Sequence, residues 1–458
     1  MIENDAFKLL LINLFHLNPD DITNIVCTTF NKMMVLLVTL ADKHQACPYC
    51  GFTASKIKEY VTKEITHSAL TTQKCIIKYR ARRYKCPCCG KTYYEFNPFV
   101  FKSQKISILT VHNILKDLKD FNETFTSVAR RYHVSPTSVS TIFDNHVDIG
   151  RNPLPEIINF DEVYAFKSEK SKYVCVLLDF KKQIPVDVLP NRKKEFLLNY
   201  FQKIPLEERK KVRYACSDMY EVYRDVVHKV FPCSCMLLDY FHLSQDFHKK
   251  MNEVRIKVMK GYKDNKASDE YYLLKKFNWL LFKNPEDEDK HGRLFDVERE
   301  RKYNSHFKSY MNYYDLRKKL LEINNDLTIC YSLKLELVDF YSKSTIDNAK
   351  VNLEILIRSF IDTNIEEMIK FSNNLINWKQ EIINSFTIVG AEYKVEADKG
   401  QVVVCNKKVN NAIIENRNKI IKCIKNNANG YTNWLRFRNR VMYVLDPNAT
   451  FSLEPKEK

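Results

Sequence analysis

Residues 157–166 read Ile157-Ile158-Asn159-Phe160-Asp161-Glu162-Val163-Tyr164-Ala165-Phe166. Their apolar, β-branched and aromatic side chains indicate a strand, and Pro153 and Pro155 just before them favour a strand that begins there. An acidic pair lies in the middle of this otherwise apolar run. Because a buried carboxylate without a partner costs several kcal/mol or shifts its pKa, we expect Asp161 to hold a cation. Glu162 should point to the opposite face of the strand.

The sequence after this strand predicts four further strands of the same sheet. The further predicted strands are Tyr173–Asp179, Ile184–Leu189, Val212–Asp218 and Cys235–Leu238. A helix over Met219–Val230 separates the last two strands. Three strands followed by a β-α-β unit form the RNase H-like layout, in which the first and fourth strands lie side by side. We therefore expect Asp161 and Asp218 to meet at one edge of the sheet.

The stretch Asp239-Tyr240-Phe241-His242 follows the last of these strands and reaches the same edge. We expect Asp239 and His242 to support the acidic site; the alternative is a plain cap at the strand end. Residues 251–385 then change character, with many Lys, Asn and Tyr residues but only two glycines and one proline. That composition indicates an all-helical insertion, after which residues 386–405 look extended.

Two Cys-x-x-Cys pairs, each followed by a glycine, precede the strands. The four cysteines are Cys47, Cys50, Cys86 and Cys89. Two thiolates on each tight turn can reach one ion, and the glycine relieves the turn, so the pattern predicts a zinc ribbon with one structural Zn²⁺. Cys88 could replace Cys89, but the spacing favours Cys89.

Two segments between residues 72 and 148 are candidates for DNA contact. A strand over Thr72–Tyr84 is basic, and residues 105–148 look all-helical, with a helix-turn-helix pattern in which Ala129 lies where helices cross and Ser135 caps a helix. A helical hairpin without a DNA role is the alternative. The candidate DNA contacts here are Arg80, Arg82, Arg83, Ser138, Ser140 and Thr141.

Composition narrows the class of protein. The 458 residues include 73 Lys and Arg against 56 Asp and Glu, a formal net charge of +17, which favours a nucleic-acid partner. The N-terminus is acidic rather than basic and the run Met33–Ala41 is too short to cross a bilayer, so we expect a cytoplasmic protein with no membrane partner. Fourteen cysteines then indicate thiols and metal ligands. Signatures of nucleotide hydrolases, dehydrogenases, zincins and serine hydrolases are absent from the sequence.

The C-terminal region adds a helix over Asn410–Asn426. Its isoleucines predict a buried side, and Glu415, Asn418, Lys419 and Lys422 share another face. By spacing alone, Glu415 and Lys419 are most simply a surface ion pair. Arginines interleaved with aromatic residues follow and suit contacts to a DNA backbone or to flipped bases. The candidate DNA contacts of this region are Lys422, Arg436, Arg438 and Arg440.

Taken together, these features resemble the DDE transposases of bacterial insertion sequences, specifically the family called ISL-three. The likeness spans nearly the whole chain, and its motifs, individually weak, are specific in this order. They are the zinc knuckles with Ala81-Arg82-Arg83-Tyr84-Lys85-Cys86, the helix-turn-helix, Phe160-Asp161-Glu162, Ser217-Asp218-Met219 through Phe231-Pro232, Asp239-Tyr240-Phe241-His242, and Glu415-Asn416-Arg417-Asn418-Lys419-Ile420-Ile421-Lys422 with Gly430-Tyr431. One departure is that such proteins usually have a glycine shortly before the glutamate, where this chain has Asn410-Asn411-Ala412.

The resemblance implies that Asp161, Asp218 and Glu415 form a triad for two Mg²⁺ or Mn²⁺ ions and that the N-terminal half reads terminal inverted repeats. The implied reaction is metal-assisted phosphoryl transfer, in which water nicks the element's end and the freed 3′-hydroxyl attacks target DNA. Double-stranded DNA is then the partner, and we expect a homodimer associated with the bacterial nucleoid. The alternatives are a catalytically silent zinc and helix-turn-helix regulator, which the acidic trio disfavours, and an RNase H-like nuclease without strand transfer.

The expected fold class is α/β: an RNase H-like catalytic domain interrupted by an all-helical insertion and preceded by a zinc ribbon and a helix-turn-helix domain. The expected boundaries are 1–104 for the N-terminal region with the zinc ribbon, 105–150 for the helix-turn-helix, 151–250 for the first part of the catalytic core, 251–385 for the insertion, and 386–458 for the second part of the core with the basic C-terminal segment.

Overall fold

The computed structural model describes residues 2–43, 45–101, 104–166, 171–394 and 402–456. The chain forms two compact units. Unit 1 comprises Met1–Arg151, Val163–Val174 and Arg417–Lys458, and unit 2 comprises Asn152–Glu162 and Cys175–Asn416. Within the described ranges, no helix combines the length and the apolar character needed to span a membrane.

Unit 1 begins with a helix and a five-stranded sheet. Its elements are α1 (Ile2–Leu14), β1 (Ile22–Phe30), β2 (Met33–Leu40), β3 (Lys56–Thr66), β4 (Cys75–Lys85) and β5 (Thr92–Tyr94). The strands run in the order β1-β2-β4-β3, with β5 paired to β4. Asn31 and Lys32 join β1 to β2 and both have positive φ (49° and 61°), the conformation that a two-residue hairpin turn requires. Buried Phe15, Leu36 and Ile77 belong to its core.

Three helices follow in unit 1: α2 (Ile108–Asp117), α3 (Phe125–Arg131) and α4 (Pro136–His146). Ser135 caps α4 as predicted, because its side chain accepts a hydrogen bond from the backbone amide of Ser138 and Pro136 occupies the first turn. Ala129 of α3 is 1% exposed and belongs to the same apolar cluster as Phe143 of α4. The two helices are joined by only four residues, 132–135.

The central sheet of unit 2 has five strands and adjacent helices. These elements are β6 (Ile157–Val163), β7 (Val174–Asp179), β8 (Pro185–Leu189), α5 (Lys194–Gln202), α6 (Leu206–Arg209), β9 (Tyr214–Ser217), α7 (Glu221–Val230) and β10 (Cys235–Leu238). The sheet order is β10-β9-β6-β7-β8, with β6, β9 and β10 parallel and β7 antiparallel to β8. Phe160 packs in the cluster that contains α5 and α7, whereas Ile157 belongs to a different cluster with Val409. Alternate residues of β6 therefore face opposite sides.

The remainder of the chain is mostly helical. Its elements are α8 (Tyr240–Lys260), α9 (Asp269–Lys276), β11 (Glu288–Asp289), β12 (Gly292–Arg293), β13 (Lys302–Asn304), β14 (Ser309–Met311), α10 (Tyr313–Glu322), α11 (Asn325–Lys343), α12 (Ala349–Ile361), α13 (Glu366–Asn377), α14 (Lys379–Asn384), β15 (Ile388–Lys394), β16 (Val402–Lys408), α15 (Ala412–Asn427) and α16 (Trp434–Leu445). The prediction of helices alone between residues 251 and 385 is wrong in one respect. Two short hairpins, β11–β12 and β13–β14, interrupt them, and strands of two or three residues are too short to produce a recognisable period.

Candidate active site and metal centres

Three aspartates lie side by side at one edge of the unit 2 sheet. β6 and β9 are in register at Asn159 and Cys216, so Asp161 and Asp218, each two residues further along, lie level with one another. The backbone amide of Asp239 donates to the last carbonyl of β9 at 3.0 Å and continues the row onto β10. Because parallel strands end at the same edge, three carboxylates from three separate segments converge.

Burial makes this convergence electrostatically costly. Asp161 is 7% exposed, and burial, with a further contribution from Asp218, raises its pKa to about 7. Burial also raises the pKa values of Asp218 and Asp239. One buried oxygen of Asp218 (Oδ1) and one of Asp239 (Oδ2) have no hydrogen-bond partner among the described residues. Buried carboxylate oxygens without hydrogen bonds fit a site for a hard divalent cation, which takes oxygen ligands.

Glu415 lies beside the aspartates. His242 Nε2 is 3.7 Å from Glu415 Oε1 and 3.9 Å from Asp239 Oδ2. Each of these three residues offers one potential metal-ligand atom, and the three atoms lie within 4.8 Å of one another. The structure therefore places both the glutamate and the Asp239–His242 pair at the acidic edge of the sheet.

Asn411 explains how Glu415 reaches this edge. Asn411 is fully buried, and its carbonyl accepts the backbone N–H of Glu415 at 3.0 Å in the first turn of α15. Its side-chain amide donates to the Phe160 carbonyl at 3.2 Å and accepts from the Asn159 amide at 2.6 Å. Its own backbone N–H donates to Asp239 Oδ1 at 3.3 Å. Sequence reasoning noted this position only as a departure from the family pattern, yet it ties α15 to β6 and to Asp239.

Glu162 lies next to Asp161 in sequence but has a separate partner. Arg192, in the loop between β8 and α5, forms an ion pair with Glu162, and its guanidinium carbon lies 4.6 Å from the Tyr220 ring centroid. Arg192 also acts to lower the pKa of Asp218, against the larger effect of burial. Sequence reasoning missed Arg192, because one arginine in a polar loop carries no periodic or motif signal.

The four predicted zinc-binding cysteines form one cluster in unit 1. The Sγ atoms of Cys47 and Cys89 are 3.7 Å apart and those of Cys50 and Cys86 are 3.5 Å apart. A tetrahedral Zn²⁺ with Zn–S bonds of about 2.3 Å separates its thiolates by about 3.8 Å, so the geometry fits zinc. Cys88 is exposed and lies outside the cluster, which assigns the fourth position to Cys89.

Both cysteine pairs lie on tight turns that the backbone stabilises. The amides of Gly51 and Gly90 donate to the carbonyls of Cys47 and Cys86 at 2.8 and 2.9 Å. Gly51 and Gly90 have φ values of +75° and +71°, which other residues adopt only at a cost. Backbone amides, chiefly that of Cys89, lower the pKa of the Cys86 thiol to about 6, whereas burial and the neighbouring thiols raise the pKa of Cys50 to about 12. The thiolate is the form that binds metal.

Arg82 has a structural environment that conflicts with its prediction as a DNA contact. Its guanidinium pairs with Glu95 at 2.7 Å and donates to the carbonyls of Leu40 and Ala41 at 3.0 and 3.3 Å. With its side chain only 15% exposed, Arg82 holds the sheet of unit 1 together. Arg80 is exposed, 4.9 Å from the Tyr60 ring centroid.

The three arginines of α16 need the same correction. Arg440 is 1% exposed, and its guanidinium donates to two backbone carbonyls, those of Asp120 and Glu123, at 2.8 Å each. Arg436 forms an ion pair with Asp144 of α4, and Arg438 donates to a backbone carbonyl at 2.7 Å. These contacts, all made within unit 1, attach α16 to the α2–α4 helices.

The remaining predicted DNA contacts differ in whether their side chains are paired within the protein or exposed. Arg83 pairs with Glu59 at 2.7 Å. Ser138 shares a hydrogen bond of 2.8 Å with Ser135, and Ser140 donates to the Thr137 carbonyl at 3.0 Å, so both hydroxyls serve α4 itself. Thr141 of α4 and Lys422 of α15 are exposed.

Two family models and one known transposase match this chain. A model of the DDE transposases of the ISL3 (ISL-three) family matches residues 158–397, and a second, described as the zinc-finger of transposases IS204/IS1001/IS1096/IS1165, matches residues 43–89. The transposase for insertion sequence element IS1001 of Bordetella parapertussis is 19% identical over 250 residues, an alignment that covers 54% of this chain and 61% of that relative. The transposase model alone covers 240 of the 458 residues. The chain belongs to the ISL-three family of DDE transposases.

Proposed function

We propose that the protein binds the terminal inverted repeats of an insertion sequence and catalyses metal-dependent DNA cleavage and strand transfer. The observation that supports this most strongly is the row of carboxylates at the sheet edge, where Asp161, Asp218 and Asp239 are joined by Glu415. The strand order β10-β9-β6-β7-β8 supports an RNase H-like domain, the expected framework for such a site. Helices α8–α14 are then the insertion within it.

Asp161, Asp218 and Glu415 are the proposed ligands of two Mg²⁺ or Mn²⁺ ions. When bound, such ions activate an attacking oxygen and stabilise the leaving oxygen of a phosphodiester. The matched family region ends at residue 397, so the case for Glu415 rests on its position at the acidic edge. Asp239 and His242 support the site from the start of α8. Arg192 neutralises Glu162, which keeps that carboxylate away from the ligand set.

Unit 1 is the proposed DNA-binding part. We infer that α3 and α4 act as a helix-turn-helix, with exposed Thr141 facing DNA, and that one Zn²⁺ bound by the four cysteines holds the preceding sheet in shape. Of the basic side chains predicted to contact DNA, Arg80 and Lys422 are exposed and are the proposed phosphate contacts. A reaction that brings two element ends to one target favours a homodimer. Its proposed substrates are the terminal repeats and target DNA in the bacterial cytoplasm.

Strand transfer on matched DNA ends tests this function. The DNA flanking the gene supplies the repeats, and a labelled duplex ending in one repeat is incubated with purified protein, Mg²⁺ and a target plasmid. We expect a nick at the repeat boundary and a joined product, with neither on a duplex of scrambled repeat sequence. Binding without cleavage would support the silent regulator, and cleavage without joining would support the nuclease.

A further inference from the structure

A mainly apolar cavity adjoins the acidic edge within unit 2. Its volume is about 490 Å³, and Asp239 and Glu415 contribute to its lining. The apolar and aromatic lining residues include Tyr240, Phe241, Val338, Tyr341 and Val409. A mainly apolar cavity that shares two residues with a carboxylate cluster is a candidate binding site beside the proposed chemistry.

Three aromatic residues, Tyr240, Phe241 and Tyr341, line this cavity, and Phe386 packs behind Tyr341. Tyr240, in the first turn of α8, lies with its ring centroid 3.8 Å from that of Tyr341 on α11. Tyr341 in turn stacks on Phe386 at 5.2 Å with an interplanar angle of 25°. Phe241, next to Tyr240 in sequence, is 50% exposed although it is a large apolar side chain. A flat aromatic ligand would find stacking partners here.

A small number of polar groups accompany these rings. The lining includes Ser342 and Asn410, whose side chains can accept and donate hydrogen bonds. Lys408 Nζ donates to the Tyr341 carbonyl at 2.8 Å and lies 4.2 Å from the Phe386 ring centroid. Apolar walls that also carry hydrogen-bonding groups fit a planar heterocycle such as a nucleobase.

We propose that this cavity takes an unpaired nucleobase of the DNA end whose scissile phosphate the carboxylates hold. The inference rests on the proposed function, because only a DNA substrate at Asp161 and Asp218 would bring a base next to Asp239 and Glu415. Enzymes that work inside duplex DNA extrude a nucleotide to gain access, and aromatic side chains stack on any base. Stacking in the cavity would fix the strand while its phosphate reacts.

Fluorescence of 2-aminopurine tests the proposal directly. The base is placed in turn at the two positions flanking the cleaved phosphate of a repeat-end duplex, and full-length Asp161→Asn protein is added so that the DNA stays intact. We expect fluorescence to change severalfold at one flanking position and to stay constant for a probe in the middle of the repeat. An unchanged signal at both flanking positions, under conditions where the protein is bound, would overturn the proposal.

Two variants locate the base in this cavity. Phe241→Ala removes one wall of the cavity, and Ser342→Trp fills its space. Each variant should reduce the fluorescence change and slow cleavage about tenfold. Tyr310→Ala is the control, since Tyr310 is 68% exposed on the β13–β14 hairpin. An abasic nucleotide at the responsive position should make cleavage insensitive to Phe241→Ala. If wild-type protein cleaves repeat ends but both variants keep the full fluorescence change, the cavity assignment fails while the proposed function stands; no cleavage by wild type would reject the function itself.

Discussion

At the residue scale, Asp161 shows why a metal is the simplest account of the site. Three neighbouring segments each contribute a carboxylate to one edge, and burial with Asp218 raises the pKa of Asp161 to about 7. Folding therefore works against the charge of these groups. Bound cations would offset this repulsion, which supports the proposed role of these residues in chemistry rather than in stability.

Asp161→Asn should leave the metal-free fold intact and make it more stable above pH 7. The pKa of Asp161 is higher in the folded state (about 7) than in the unfolded state (near 4). Protonated Asp161 therefore contributes to the free energy of unfolding below pH 4, and this contribution is lost as the pH rises through about 7. The variant escapes this loss, and we expect a gain of roughly 1–2 kcal/mol at pH 8 that disappears towards pH 4. Thermal melting in Mg²⁺-free buffer measures this gain. The buffer contains no chelator, because a chelator would remove the zinc. A variant less stable than wild type at pH 8 would contradict the prediction.

Asn411→Ala should impair cleavage although the residue carries no proposed ligand. Removing its side-chain amide breaks the hydrogen bonds to the Phe160 carbonyl and the Asn159 amide that tie the start of α15 to β6, so we expect Glu415 to lose its position. For a residue that orients a metal ligand, we expect cleavage to fall roughly 10–100-fold. Weaker Mn²⁺ binding, measured by calorimetry, should accompany the fall. Asn373→Ala on the exposed face of α13 is the matched control, and equal effects of both changes would refute a positioning role.

At the scale of elements, local signals predicted structure well and long-range partners badly. The α4 cap at Ser135 and the cysteine turns follow from capping and turn chemistry. The arginines of α16 were assigned to DNA because basic residues among aromatics suit nucleic acid, but their partners lie some 300 positions away, as in Arg440 with the Asp120 and Glu123 carbonyls. Sequence spacing carries no information about such partners. The contacts of Asn411 and Arg192 could not be predicted from the sequence for the same reason.

Cys47→Ser should release zinc and unfold the zinc-binding part of unit 1 while the carboxylate sheet stays folded. Structural zinc contributes ~10–16 kcal/mol to finger peptides, so losing one of four thiolates removes most of the stabilisation. Elemental analysis gives the zinc content, and limited proteolysis reports which region becomes accessible. Cys88→Ser should keep its zinc, because Cys88 lies outside the cluster. Equal zinc content in Cys47→Ser and wild type would reject the assignment.

Arg440→Leu and Lys422→Ala should have opposite phenotypes. Arg440 is buried, and its loss leaves two backbone carbonyls without a donor, so we expect the melting temperature to fall by roughly 5–10 °C. Lys422 is exposed, so Lys422→Ala should keep the melting temperature. It should reduce the slope of log affinity against log salt concentration for repeat binding by about 1. Melting curves and binding isotherms at several salt concentrations separate the two roles. A stable Arg440→Leu protein with weakened DNA binding would restore the DNA role to Arg440.

At the scale of the whole molecule, the order of the unit 2 strands was accessible from sequence because each strand is an apolar run ending at a recognisable carboxylate or turn. The additional strand β1 and the two small hairpins were not, since their residues show no clear alternation of apolar and polar positions. Glu415 lies 197 positions after Asp218, and spacing alone leaves its role open. Its place at the acidic edge depends on contacts that only the folded chain reveals.

Cleavage of a repeat-end duplex by four single variants tests the central claim most directly. Asp161→Asn, Asp218→Asn and Glu415→Gln should each bind the repeat as wild type does and lose Mg²⁺- or Mn²⁺-dependent cleavage. Glu162→Gln should still cleave, because that carboxylate is paired with Arg192 and not with a metal. If Glu415→Gln cleaves at the wild-type rate while Asp161→Asn does not, Glu415 is not the third ligand. If all four variants cleave normally, the carboxylate edge is not the active site.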